Sequence, residues 1–146
     1  IDLPADTPRD TWLDLLMSHC LEPALPEACF IYNYPASQSA LARLSMDMYG
    51  RMVARRFEVY VGGVELANGY HELTDALGQA QRFVTDNERR AELGKRPMNA
   101  DQRLVDALHA GVPDCAGVAM GLERILMLAY GKQSIADVMA FDFSRA

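Results

Sequence analysis

Residues 56–73 read RFEVYVGGVELANGYHEL, and the Gly62-Gly63 pair inside this stretch decides how the chain folds. β-Branched and aromatic residues flank the pair on both sides, the pattern of two strands joined by a two-residue hairpin turn. Val61 then faces Val64, and Tyr60 faces Glu65. Glu58 stands two residues before Tyr60 and shares its face, so Glu58 and Glu65 become diagonal neighbours roughly 7–8 Å apart. Glu58, Glu65 and Glu72 recur every seven residues. On one straight strand an odd step sends successive carboxylates to opposite faces. The reversal at the turn undoes this for the first pair. A one-residue bulge is needed for Glu72, and Asn68-Gly69 is where we expect it, because glycine tolerates the backbone it requires. Asn68, Tyr70 and Glu72 then alternate onto the face of Glu65.

Two converging carboxylates suit Mg²⁺, which is commonly held by one or two carboxylates plus substrate phosphates. An amide, a phenol and a carboxylate in a row suit a charged small molecule that carries an amine. The same residues also read as solvated side chains on an exposed, irregular strand.

A second stretch, GVAMGLER at 117–124, places Gly117, Ala119 and Gly121 at alternate positions. On a strand they share one face and leave a smooth floor for a flat ligand. Gly121 then opens a helix with Arg124 in its first turn, where an arginine and helix amides favour phosphate. The stretch is neither a P-loop nor a dinucleotide fingerprint. Close strand–helix packing with an exposed arginine explains it equally well.

Outside these stretches, TPRDTWLDLLMSHCL reads as a helix capped by Thr7, with Pro8 at its first position, Asp10 in its first turn, and Trp12, Leu15, Leu16 and His19 on one face. EACFIYNYP reads as a buried strand closed by Pro35. ASQSALARLSMDMYGRM has no clean period and reads as a loop holding a helical turn, of a length that often carries function. From Thr74 the period becomes helical, with Leu77, Ala80, Phe83, Val84 and Asn87 on one face and Gly94 and Pro97 ending the run. NADQRLVDALHAG is a second helix capped by Asn99. DCAGVAM is strand-like, GLERILMLAYG an apolar helix, and SIADVMAF a short helix or strand. Helices and an antiparallel hairpin segregate along the chain without βαβ alternation. The expected fold is therefore α+β, an antiparallel sheet flanked by helices in a single domain over 1–146.

The 146 residues are 50% hydrophobic, ordinary for one domain with a real core. A formal net charge of −6 argues against sequence-independent nucleic-acid binding. Three scattered cysteines without a CxxC pair fit a reducing cytoplasm rather than a disulfide framework, and the histidines lack zinc-ligand spacing. No apolar run approaches the ~20 residues of a membrane span, so no membrane partner is expected. The chain opens on Ile1 rather than Met. We therefore read it as part of a longer protein whose N-terminal portion is missing.

Taken together, GVAMGLER, RFEVYVGGVELANGYHEL and FIYNYPASQSALAR resemble the C-terminal half of the class II aminoacyl-tRNA synthetase catalytic domain, of the lysyl type. The resemblance covers residues 28–146. It implies that Glu58 and Glu65 bind ATP-associated Mg²⁺, and that Arg124, with Gly121 at its helix start, contacts ATP. It implies a lysine-type pocket of Asn68, Tyr70 and Glu72 over Gly117 and Ala119, with Glu72 pairing the side-chain ammonium. Arg124 and Glu65 are the residues it places nearest the reaction. PASQSALA, ELANGYHELTDA, VPDCAGVAMGLER and AFDFSRA look closer to the branch of synthetase-like ligases that adenylate (R)-β-lysine and transfer it to a lysine of elongation factor P than to lysyl-tRNA synthetases. Those synthetases usually carry glycine where this chain has Ala119. The branch implies elongation factor P as acceptor, β-lysine or lysine as substrate, no tRNA, a homodimer in the full-length protein and a cytoplasmic location. The alternatives are the catalytic half of a lysyl-tRNA synthetase and a non-catalytic synthetase-like binding module. The family's first two motifs are not in these residues, so this chain alone is expected to be inactive.

Overall fold

A computed structural model describes residues 2–145; the terminal residue at each end of the expected 1–146 domain, including the last alanine of AFDFSRA, lies outside the described residues. The centre is a five-stranded antiparallel sheet. Its strands are β1 (Ala28–Pro35), β2 (Leu44–Met46), β3 (Met52–Val61), β4 (Val64–His71) and β5 (Ala116–Met120). They run in the order β1-β3-β4-β5, with β2 also paired to β3. The helices are α1 (Arg9–Leu16), α2 (Ala76–Glu92), α3 (Gln102–Ala110) and α4 (Leu122–Ala129). This is the expected α+β class.

The hairpin forms as its sequence dictates. Gly62 and Gly63 both take positive φ, +57° and +75°. That backbone suits glycine and matches the twist of the flanking strands. Val61 pairs with Val64 and Tyr60 with Glu65. The bulge sits earlier than expected. Val59 pairs with Ala67 and Glu58 with Asn68, so the extra residue is Leu66 and not Asn68-Gly69. The reason lies at the start of α4. The Gly121 N–H donates to the Leu66 carbonyl at 2.9 Å, and Arg124 Nη1 donates to the Glu65 carbonyl at 2.7 Å. The two carbonyls turn to satisfy α4, and the ladder breaks there.

Local readings differ in other places. Thr7 does not cap α1: its hydroxyl donates back to the Pro4 carbonyl at 2.7 Å, and Pro8 holds the cap position without a side-chain bond. The helix continues beyond Leu16 as a π-helical turn over Met17–Leu21 and a 3₁₀ turn over Glu22–Ala24. Asp75 and Asp101 cap α2 and α3 by accepting from the N–H groups of Gly78 and Leu104, so Asn99 is not the α3 cap. On α2 the buried residues are Ala76 and Gln79, while Leu77 and Val84 face outward. The long loop after β1 holds a 3₁₀ turn at Ala36–Gln38 and the short strand β2, which the mixed composition of that segment hid. SIADVMAF settles into a 3₁₀ turn at Ile135–Asp137.

Four of the buried apolar residues, Ala42, Ala54, Ala67 and Ala76, are small; Val53, Tyr60 and Val105 complete the set. On one sheet face Phe30, Tyr32, Val118 and Met120 remain exposed. The other face carries the polar row. No helix among the described residues is long and apolar enough to cross a membrane.

Candidate active site

The register of β3, β4 and β5 places the polar row on one face. Arg56 pairs with Tyr70, Glu58 with Asn68 and Tyr60 with Glu65. On the far side of β4, Tyr70 pairs with Gly117 and Asn68 with Ala119. Directly opposed residues share a face. Glu58, Glu65, Asn68, Tyr70, Gly117 and Ala119 are thereby brought together, and the bulge at Leu66 supplies the phase change that the glutamate spacing demanded. Glu72 follows Tyr70 by two residues and bridges to Ala42. A methyl group built on Gly117 would collide with Glu72 Oε1, so the Glu72 carboxylate lies over that floor position. Gly121 caps α4, and Arg124 lies half-exposed 3.6 Å from Glu65 Oε2. The row thus runs from an arginine beside Glu65 at one end to an acid over glycine at the other.

Glu58 is the centre of the site. It is buried at 6% exposure. Oε2 accepts from the hydroxyls of Tyr34 at 2.5 Å and Tyr60 at 2.8 Å. Oε1 accepts from Arg56 Nη2 and from Asn68 Nδ2, the latter at 3.2 Å. A carboxylate has about four lone-pair positions, and these donors fill them. Burial and donation to Glu58 push both tyrosine hydroxyls well above the ordinary phenol value. The donor chemistry therefore divides the expected Mg²⁺ ligands. Glu65 has oxygen exposed toward the cavity and fits a hard cation directly. Glu58 fits only by releasing a donor, and the Asn68 amide is its longest bond. Among the described residues no group of three or more acids, cysteines or histidines forms a metal cluster.

Arg56 is not singled out by the sequence, yet it meets Tyr34, Gln38, Glu58, Asn68 and Tyr70. Its guanidinium lies over the Tyr34 ring at 4.4 Å and 5.9 Å from the Tyr70 centroid. Nε donates to Asn68 Oδ1 at 3.3 Å and Nη1 to the Gln38 carbonyl at 3.4 Å. The period-two rule could have found it, since Arg56, Glu58 and Tyr60 alternate on β3. Tyr34 left no such signal, because it reaches the site from β1.

Helix α1 and its extension close the cavity. Ser37 Oγ donates to Asp10 at 2.7 Å and Gln38 Nε2 to Asp14 at 2.8 Å, tying the PASQ segment to α1. Arg89 of α2 pairs with Asp10 at 3.3 Å. The cavity has a volume of about 560 Å³, and its walls include Met17, Glu22, Tyr34, Arg56, Glu58 and Glu65. That size accommodates a small-molecule ligand.

Residues 13–145 match the family model of tRNA synthetases class II (D, K and N). The chain is 53% identical over 140 residues, 94% of its length, to the elongation factor P–(R)-β-lysine ligase of Salmonella gallinarum. The relatives of the same name from Salmonella dublin and Salmonella paratyphi B show the same identity and coverage. The chain spans 42% of the length of these curated relatives.

Proposed function

Because the chain belongs to the class II tRNA synthetases of the D, K and N group, we propose that it is the C-terminal part of the catalytic domain of a ligase that activates (R)-β-lysine with ATP and passes it to a lysine of elongation factor P. The observation that carries this reading is the single polar row across β4, from Arg124 and Glu65 to Glu72 lying over Gly117.

The residues take the following roles. Glu72 receives the terminal ammonium, and the absence of side-chain bulk at Gly117 lets the substrate's carbon chain lie flat on β5. Asn68 and Tyr70 orient the chain between the two ends. Arg124 turns from Glu65 to the nucleotide phosphates, with Gly121 keeping the start of α4 open to them. Glu65, and Glu58 if freed from Asn68, would hold Mg²⁺, and the ion would supply neutralisation of phosphate charge. The substrate carboxylate oxygen bonds to the α-phosphorus of ATP, the bond from that phosphorus to the bridging oxygen breaks, and pyrophosphate leaves. An acceptor amine then attacks the acyl carbon, AMP departs with the electron pair of the broken bond, and the nitrogen loses a proton. Positioning and charge stabilisation carry both steps, and no side chain here needs to act as nucleophile.

This reading includes a single domain over the chain, an inactive state for the chain alone, a homodimer for the full-length protein, a cytoplasmic location and no tRNA partner. ATP–pyrophosphate exchange by the full-length protein tests it. Exchange with (R)-β-lysine exceeding that with α-lysine is the expected result. Absence of exchange with either removes the ligase reading, and strong α-lysine preference with tRNA charging converts it to a lysyl-tRNA synthetase. Ala119→Gly removes a methyl from the floor beside Asn68 and is expected to shift exchange toward α-lysine; an unchanged ratio counts against Ala119 as the determinant.

A further inference from the structure

Three carboxylates share the site face, yet they are not equivalent. Glu72 lies over open floor, Glu65 is partly exposed beside Arg124, and Glu58 is buried against Arg56. Asn68, which faces Glu58, stands four residues from Glu72, about 13 Å along the strand at ~3.3 Å per residue. Arg56 and its partner Tyr70 lie midway. A five-carbon diamine carries an ammonium at each end, so selection against it is made at the end away from Glu72. The substrate class proposed above differs from such a diamine by its carboxylate. The geometry points to Arg56 as the residue that selects a carboxylate-bearing amino acid against a simple diamine.

Two properties of Arg56 produce this selection. It neutralises Glu58, so that Glu72 is left as the ammonium anchor at its end, while at the other end each acid has an arginine beside it, Arg56 at Glu58 and Arg124 at Glu65. It also retains donors. A guanidinium carries five N–H groups. Nε serves Asn68, one Nη1 hydrogen serves Gln38 and one Nη2 hydrogen serves Glu58. The remaining two belong to a side chain that lines the cavity. A second ammonium there meets like charge, whereas a carboxylate meets donors. Stacking on Tyr34 holds the guanidinium in place, a geometry that lysine would not reproduce.

This inference rests on Glu72 as the ammonium site, and calorimetric binding of lysine, (R)-β-lysine and cadaverine to the full-length protein without ATP separates the two. Wild-type protein is expected to bind at least one amino acid more tightly than cadaverine. Failure to bind any of the three overturns the amine-pocket reading and this inference with it. Arg56→Gln is expected to move the amino-acid-to-cadaverine affinity ratio toward the diamine by about tenfold or more. Adding Glu58→Gln removes the freed carboxylate and is expected to return most of the shift. If Arg56→Gln does not fold by circular dichroism, Arg56→Met keeps the apolar stem on Tyr34 and makes the same charge change. A folded variant that weakens all three ligands equally, with the ratio unchanged, assigns Arg56 a purely structural role and overturns the selection. A shift that persists in the double variant does so too.

Discussion

Gly117 lies directly under the Glu72 carboxylate, which leaves no room for a β-carbon. Gly117→Ala is therefore expected to displace Glu72 and weaken amino-acid binding on the order of tenfold to a hundredfold, because small misplacements of an anchoring group cost that much. Calorimetry on the full-length protein measures it, and unchanged affinity would separate Glu72 from the substrate. Tyr34 and Tyr60 belong to the same scale. Their hydroxyls are held protonated by burial and by the bond to Glu58, so their folded values lie above the ordinary phenol value. Such groups favour the folded state fully below about pH 10, and the contribution erodes as pH rises beyond it. Melting temperature should fall above that pH, and the double variant Tyr34→Phe, Tyr60→Phe should flatten the fall. An alkaline slope unaltered in that variant would place the titrating groups elsewhere.

At the scale of elements, the hairpin carries the site because its turn and its bulge set two phases independently. The Gly62-Gly63 turn aligns Tyr60 with Glu65, and Leu66 realigns everything after it. A one-residue change of register moves every following side chain to the other face. Deleting Leu66 is expected to turn Asn68, Tyr70 and Glu72 away from Glu58 and abolish amino-acid binding by a chain that still folds as a hairpin. Retained binding would show that the phase is set elsewhere. Gly63 sits at a φ of +75°. Gly63→Ala is expected to cost about 1 kcal/mol of stability, read by chemical denaturation, because a β-carbon is disfavoured in that region. The period-two pattern makes the hairpin, its turn register and the shared face of Glu58 and Glu65 legible in the sequence. It did not locate the bulge, because the carbonyls of Glu65 and Leu66 turn toward Gly121 and Arg124, which are more than fifty residues away in sequence.

Across the whole molecule, one sheet face carries the polar row, and the other exposes large apolar side chains. Phe30 and Tyr32 are 65% and 68% exposed, and Val118 and Met120 are 59% and 54% exposed. Large apolar side chains exposed on one face promote association. The 146-residue chain expressed alone is expected to bind a hydrophobic dye such as ANS and to self-associate with rising concentration in light scattering. Phe30→Ser with Tyr32→Ser should reduce both. A monodisperse monomer without dye binding would mean that this face is covered in solution.

Much of the site was readable from the order of residues alone. The α+β class, the two-residue turn, the pairing of Tyr60 with Glu65, the glycine-rich floor and the common face of Glu58 and Glu65 follow from strand periodicity and turn chemistry, which act over a few residues. Tertiary structure decided the remainder. It set the position of the bulge at Leu66, brought Tyr34 onto Glu58 from another strand, and closed the cavity with α1 through Asp10 and Asp14. It also made Arg56 the partner that fills Glu58. Most of these outcomes depend on contacts between residues more than twenty positions apart. The Arg56–Glu58 pair is close in sequence, but its significance depends on burial and on the other donors that converge there. A local pattern can state which face a side chain takes, but not what meets it.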